Sequence, residues 1–188
     1  MLIDNFQQRK TDVLSKMDKS SAGKWDKKII KLCNKINKLE NYYTTSSCSG
    51  RALLMIDQEK KGENLFIFVS HDKITFKQLK GELSKAVKLN KKVKFKLEPC
   101  ILHVACKALE DTKLFYDKGK EAGFKRLSII GTSHGFTFEL NSTEKLEFPI
   151  IEKNKILVDD DFLKLIVEDS NTKLEKSWLK IQKLQRLI

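Results

Sequence analysis

The sequence predicts an α+β fold, a single domain in which a mixed or mostly antiparallel sheet is flanked by helices. Three observations predict it. Helix-spaced apolar stripes open and close the chain, β-rich runs mix with helical stripes between them, and no Pro/Gly/Ser linker, low-complexity tract or composition shift divides the 188 residues. With 40% hydrophobic residues, a chain of this length can bury a genuine core without disulfides or metals.

The first stripe, Ile3, Phe6, Val13, Leu14 and Met17, gives a helix with a narrow apolar face. A break at Asp18-Lys19-Ser20-Ser21-Ala22-Gly23 separates it from a second helix carrying Trp25, Ile29, Leu32, Cys33, Ile36 and Leu39. Tyr42 to Ser47 reads as a strand, Ser49-Gly50 as its turn and Arg51 to Ile56 as the return strand, so a hairpin is expected here. Leu65 to Ser70 is a third strand, Thr75 to Leu89 a helix, and the alternation of Val93, Phe95 and Leu97 a fourth strand. Ile101 to Ala105 is β-rich and enters a helix whose stripe, Ala108, Thr112, Phe115, Gly119 and Ala122, is closed by Gly123. The small residues in that stripe imply close backbone packing. Leu127 to Ile130 and Phe136 to Leu140 form a second hairpin around Gly131-Thr132-Ser133-His134-Gly135. It echoes the segment from Thr45 to Gly50, and an internal duplication would explain the echo. A strand pair around Pro149 and Ile156-Leu157-Val158 precedes a long helix from Asp160, with Phe162, Ile166, Leu174, Trp178, Ile181 and Leu184 facing the body.

Lysine and arginine number 37 against 25 acidic residues, a net charge of +12. A compact protein this basic points to a polyanionic partner, nucleic acid before a membrane surface. General lysine enrichment is the competing explanation, since only Arg9, Arg51, Arg126 and Arg186 are arginine. Cys33, Cys48, Cys100 and Cys106 form no CxxC pair, and neither a signal-peptide run nor a membrane-length apolar stretch is present. A reducing cytoplasm is the expected location.

The run Thr44-Thr45-Ser46-Ser47-Cys48-Ser49-Gly50-Arg51 packs five hydroxyls, a thiol, a glycine and an arginine into a stretch too polar to build core. Three chemistries were open to it and to the histidines. Zinc would draw on Cys100, His103 and Cys106, with His71 and His134, but residues three apart on an extended segment face opposite ways and match no zinc signature, so no metal is expected. A nucleophilic enzyme would use Cys48 activated by Arg51 with His71 or His103 as base, whereas serines that merely cap a turn explain the hydroxyls equally well. Neither GxxxxGK[ST] nor GxGxxG occurs, which removes P-loop and Rossmann nucleotide binding. What remains is an irregular turn whose amides, hydroxyls and Arg51 suit a carboxylate or phosphate.

At this same run the sequence resembles the tRNA wybutosine-synthesising protein 3 family. Co-linear matches follow at Asp18-Lys19-Ser20 with Gly23 and Asp26, Phe68-Val69-Ser70-His71, Glu98-Pro99 with Ile101-Leu102-His103-Val104, Gly123-Phe124-Lys125-Arg126, and Asn171 with Lys173. The resemblance implies a methyltransferase that uses S-adenosylmethionine to methylate N4 of a demethylated, tricyclic wyosine-type guanosine at position 37 of phenylalanine tRNA. It implies binding of the cofactor on Thr45, Ser46, Ser47, Ser49 and Arg51 and of the tRNA anticodon loop on the basic surface. A single-stranded loop with flanking phosphates agrees with the charge. His103, and behind it His71, are the candidate general bases, because imidazole titrates near neutral pH. For His103 a satisfied core histidine is an equal alternative. A noncatalytic RNA-binding module is the alternative for the whole chain, and the sequence leaves open which wyosine intermediate is the substrate.

Overall fold

The computed structural model describes residues 5–16, 26–58, 65–133 and 135–188. The expectations resting on Ile3, Met17, the break at Asp18 to Gly23, Trp25 and His134 lie outside the described residues. Along the chain run α1 (Asn5–Leu14), α2 (Ile30–Lys38), β1 (Tyr42–Cys48), β2 (Arg51–Ile56), β3 (Phe66–Ser70) and α3 (Phe76–Ala86), which ends in a short 3₁₀ turn. They are followed by β4 (Val93–Glu98), β5 (Ile101–Cys106), α4 (Leu109–Glu121), β6 (Arg126–Gly131), β7 (Phe136–Asn141), β8 (Leu146–Glu152), β9 (Lys155–Ile156) and α5 (Asp160–Leu187). The α+β expectation holds, with two sheets in place of one among the described residues and each of their strand pairings antiparallel. No described helix is long and apolar enough to cross a membrane.

The chain divides into two compact units. The first, Met1–Ser49, Cys100–Thr143 and Ser177–Ile188, holds a four-stranded sheet of order β1-β5-β7-β6. One face of this sheet is apolar because Leu102, Val104, Phe138 and Leu140 alternate inward, each 0–1% exposed. α4 covers that face, placing Phe115 with its ring centroid 5.5 Å from Tyr42 and 6.1 Å from Phe138. A Cβ on Gly119 would stand 2.6 Å from Leu127 Cδ2 and 2.8 Å from Leu140 Cδ2, so the small residue in the stripe does permit close packing. α2 is tied to the sheet where Thr44 donates its backbone N–H to Asn37 Oδ1 at 2.7 Å.

The second unit, Gly50–Pro99 and Glu144–Lys176, holds the order β3-β2-β4-β8-β9. β4 buries Val93, Phe95 and Leu97 and turns Lys94, Lys96 and Glu98 outward, as its alternation predicts. Lys94 Nζ lies 3.1 Å from both Asp57 and Glu147, and hydrogen bonds to these carboxylates raise its pKa. Asn171 closes on Ile74 twice, accepting from its N–H and donating to its carbonyl at 2.9 Å each. In α5, Phe162 is 39% exposed and Leu163 is buried in its place. The buried stripe runs Leu163, Ile166, Ser170 and Leu174 in this unit and Ser177, Trp178, Ile181 and Leu184 in the first, and its two serines hide the register from a hydrophobic count. Phe162 still rests edge-on against Phe148, with centroids 5.8 Å apart.

The expected hairpin from Tyr42 to Ile56 does not form. β1 pairs with β5, whereas β2 pairs with β3 and β4, so Ser49-Gly50 is a crossover between sheets. Its backbone explains the departure: Ser49 is buried with its N–H held by Asp26 Oδ2 at 2.7 Å, and Gly50 takes φ +100, where a side chain would be strained. The second hairpin does form, β6 against β7, so the two hydroxyl-rich segments are not equivalent in the fold. Gly135, at the start of its return strand, has φ +89, and a Cβ there would stand 2.7 Å from the Cys106 carbonyl oxygen. Gly135→Ala is therefore expected to destabilise the protein by about 1–3 kcal/mol, read by urea unfolding. An unchanged midpoint would show that this turn relaxes freely.

Candidate active site

Chemistry-bearing side chains gather on the other face of the four-stranded sheet, the one α4 does not cover. Directly opposed residues of antiparallel strands share a face. By register, Ser46 of β1 faces His103 of β5, His103 faces Glu139 of β7, and Glu139 faces Ser128 of β6. The four form one polar row across the sheet. In the next row toward the end of β5, Tyr43 faces Ala105, and these two pack with Phe6 of α1 in a small apolar cluster. α1 thus roofs one end of this face and leaves the polar row open, with Ser46 and Ser128 exposed.

The alignment of Ser46 with His103 depends on a bulge. The β1–β5 register shifts between Thr44 and Ser46, so Thr45 has no partner across the ladder. Were Thr45 paired regularly with His103, Ser46 would oppose Leu102 on the α4-covered face. The bulge also separates the run's side chains. Thr45 is exposed at the bulge, Ser46 is on the open face, Ser47 opposes Leu102 on the covered face, and Ser49 is buried in the crossover. The expected single hydroxyl-rich turn is thus a strand with side chains on alternating faces. Ser49 Oγ is fully buried and has no hydrogen-bond partner among the described residues, an unmet requirement that a ligand group could fill.

His103 Nε2 lies 2.8 Å from Glu139 Oε2, with the side chains 23% and 25% exposed. An ionised carboxylate only accepts, so the neutral ring carries its proton on Nε2 and keeps its lone pair on Nδ1. Such a ring is oriented and ready to accept a proton. The alternation expected from sequence holds, with Leu102 and Val104 buried and Ile101 and His103 half-buried on the opposite side. His103 is therefore a partly exposed, carboxylate-held imidazole rather than a core residue. His71 follows β3 in the second unit and does not share the sheet of His103.

Arg51 lies in the second unit, opposite Glu98 in the β2–β4 register. Its Nε is 2.7 Å from Glu98 Oε2, and its guanidinium carbon stands 5.1 Å from the Phe66 ring centroid. This pairing fixes the guanidinium against its own sheet. Cys100 and Cys106 are buried, and burial pushes both thiols up, Cys106 to about 11. Burial thus keeps these two thiols protonated and unreactive as nucleophiles. Sequence reasoning missed Glu139 and Ser128, because only strand register brings them to His103.

The chain matches the family model described as Methyltransferase TYW3 over residues 8–188. It is 33% identical over 191 residues to a tRNA wybutosine-synthesizing protein 3 homolog from Danio rerio, covering 98% of this chain and 75% of that protein. It is 32% identical over 192 residues to the tRNA(Phe) 7-((3-amino-3-carboxypropyl)-4-demethylwyosine(37)-N(4))-methyltransferase of Archaeoglobus fulgidus, covering 100% of this chain and 94% of that one. The solved structure of the PH1069 protein from Pyrococcus horikoshii superposes with a TM-score of 0.87 at 29% identity, covering 97% of this chain and 93% of that one. With agreement in sequence and in fold over nearly its whole length, the chain belongs to the Methyltransferase TYW3 family.

Proposed function

We propose that this protein, acting as one domain over residues 1–188, methylates N4 of a demethylated wyosine-type guanosine at position 37 of phenylalanine tRNA, with S-adenosylmethionine as methyl donor. The names of the relatives support the substrate, and the net charge of +12 suits an anticodon loop flanked by phosphates. The observation that carries the mechanism is the Glu139-held His103 directly across from Ser46 on an open sheet face.

The bound cofactor would supply an electrophilic methyl group and leave as a neutral thioether once its sulfur–methyl bond is broken, and the protein's task is then to place the acceptor nitrogen and manage its proton. His103 Nδ1 accepts the proton of the ring N–H as the new N–C bond forms. Glu139 holds the imidazole and stabilises the imidazolium that results. We assign the cofactor to the segment from Thr45 to Arg51, with Thr45, Ser46, Ser47 and Ser49 as hydroxyl donors and Arg51 for its carboxylate; the orphaned Ser49 hydroxyl is consistent with that assignment. His71, which follows β3, is the second candidate base.

Calorimetric titration of the protein with S-adenosylmethionine in the absence of RNA separates the enzyme from a noncatalytic RNA-binding module. Saturable binding is expected of the enzyme. Absence of binding would favour the module. In the same titration Arg51→Ala should weaken binding about 10- to 100-fold, since losing a charge-assisted hydrogen bond costs about 1.5–3 kcal/mol. The half-buried pair with Glu98 adds only about 1 kcal/mol of lost stability. Normal affinity with a collapsed melting temperature would show that Arg51 serves the sheet alone.

A further inference from the structure

Gly123-Phe124-Lys125-Arg126 has no part in the site described above. It follows α4, where the helix is closed by Gly123 N–H on the Lys120 carbonyl at 2.9 Å and Phe124 N–H on the Gly119 carbonyl at 3.1 Å, with Gly123 at φ +96. Beside this turn is an open cavity of about 370 Å³ lined by Tyr116, Lys120, Gly123, Phe124, Lys125 and Leu127. Phe124 is 2% exposed and forms its floor, whereas Lys120 and Lys125 are exposed at its rim. The Lys120 ammonium stands 5.6 Å from the Tyr116 ring centroid, and the ring is held edge-on by Phe138 at 6.2 Å.

The lining is selective in its chemistry. It contains two cations, the Tyr116 ring over the buried Phe124 floor, and no carboxylate. Neither lysine forms an ion pair among the described residues, although lysines elsewhere in the protein commonly do. A flat ring beside uncompensated ammonium groups suits one unpaired nucleotide, its base against the ring and its phosphates on the cations. A free acidic peptide would use the charge but not the ring. The position also fits a long polyanion. Leu127 faces the α4-covered side of β6 opposite Leu140, whereas Ser128 faces the open side with His103, so the cavity and the candidate active site flank the same edge strand. Arg126, exposed on the open side, continues the basic track toward the polar row.

We propose that this cavity is a second RNA site, which takes an unpaired nucleotide of the tRNA away from the base being methylated. The choice of tRNA rests on the function proposed above. The test is equilibrium filter binding of a tRNA(Phe) transcript across a salt series. It compares the wild type with Lys120→Gln/Lys125→Gln, with Tyr116→Leu, and with Lys88→Gln/Lys91→Gln, which removes the same charge from exposed positions in the second unit. The cavity double variant should bind about tenfold more weakly or worse and lower the slope of log K against log salt by roughly 1.4, from about 0.7 per phosphate contact on single-stranded RNA. Tyr116→Leu should lose about fivefold or more in affinity at an unchanged salt slope, because it removes stacking and no charge. The control pair should change affinity by less than about threefold.

Equal losses in the cavity and control pairs would reduce the effect to general charge and overturn the site. Unchanged binding by the cavity variants, or no transcript binding by the wild type, would overturn it as well. The readout is binding and not turnover. A wild-type protein that binds with this pattern yet transfers no methyl would defeat the proposed reaction and leave the cavity assignment standing.

Discussion

Replacing His103 with asparagine lowers the single-turnover rate of methyl transfer by about 10²–10⁴-fold, the usual cost of removing a positioned proton acceptor. That range corresponds to about 2.7–5.4 kcal/mol of transition-state free energy. The structural loss is much smaller. Both His103 and Glu139 are roughly a quarter exposed on the open face, and a solvent-screened pair there contributes about 1 kcal/mol or less to stability. The difference in scale makes the experiment decisive, because a folding defect cannot imitate a hundredfold fall in the rate of protein that melts normally. Cofactor affinity should also persist, since asparagine leaves Ser46, Ser49 and Arg51 in place. A variant that methylates at the wild-type rate would return His103 to a purely structural role.

Phe95→Ala should destabilise the protein by about 3–5 kcal/mol, the largest single-residue loss expected in the second unit. Phe95 lies on the central strand of its sheet, is fully buried, and stacks on Phe148 with centroids 5.4 Å apart. Its register partners are Leu54 on one side and Phe148 on the other, so a cavity opens between three strands. Against a total stability of about 5–15 kcal/mol this is a large share. The urea midpoint should drop by roughly 1–2.5 M for a slope of about 2–3 kcal/mol/M. A shift under about 0.5 M would mean that the sheet collapses into the space at little cost.

Periodicity alone made most of the fold legible. Val93, Phe95 and Leu97 alternate in sequence as they do in the sheet, and the α4 stripe with Gly119 foretold a helix pressed onto Leu127 and Leu140. Pairing between distant strands was not legible, because the face a residue occupies follows from register. The hairpin reading of Tyr42 to Ile56 failed on this point: two β-rich runs joined at Ser49-Gly50 look like a hairpin locally, and only the tether from Asp26 and the competing partners β3, β4 and β5 send them to different sheets. In the candidate site, His103 and Ser46 were singled out from sequence. Their apposition depends on the bulge at Thr45, and Glu139 is 36 residues from His103 in the chain, so neither relation has a local signal. The salt link that occupies Arg51 was equally hidden, because Glu98 reaches it only across the β2–β4 ladder.

The most direct measurement is transfer of labelled methyl from S-adenosylmethionine by the purified protein to two forms of phenylalanine tRNA, one carrying the demethylated tricyclic base at position 37 and one with plain guanosine there. Stoichiometric labelling of the tricyclic form, mapped to N4, with none of the plain transcript is the expected result. Equal labelling of both would contradict the substrate assignment, and labelling of neither would contradict the enzyme.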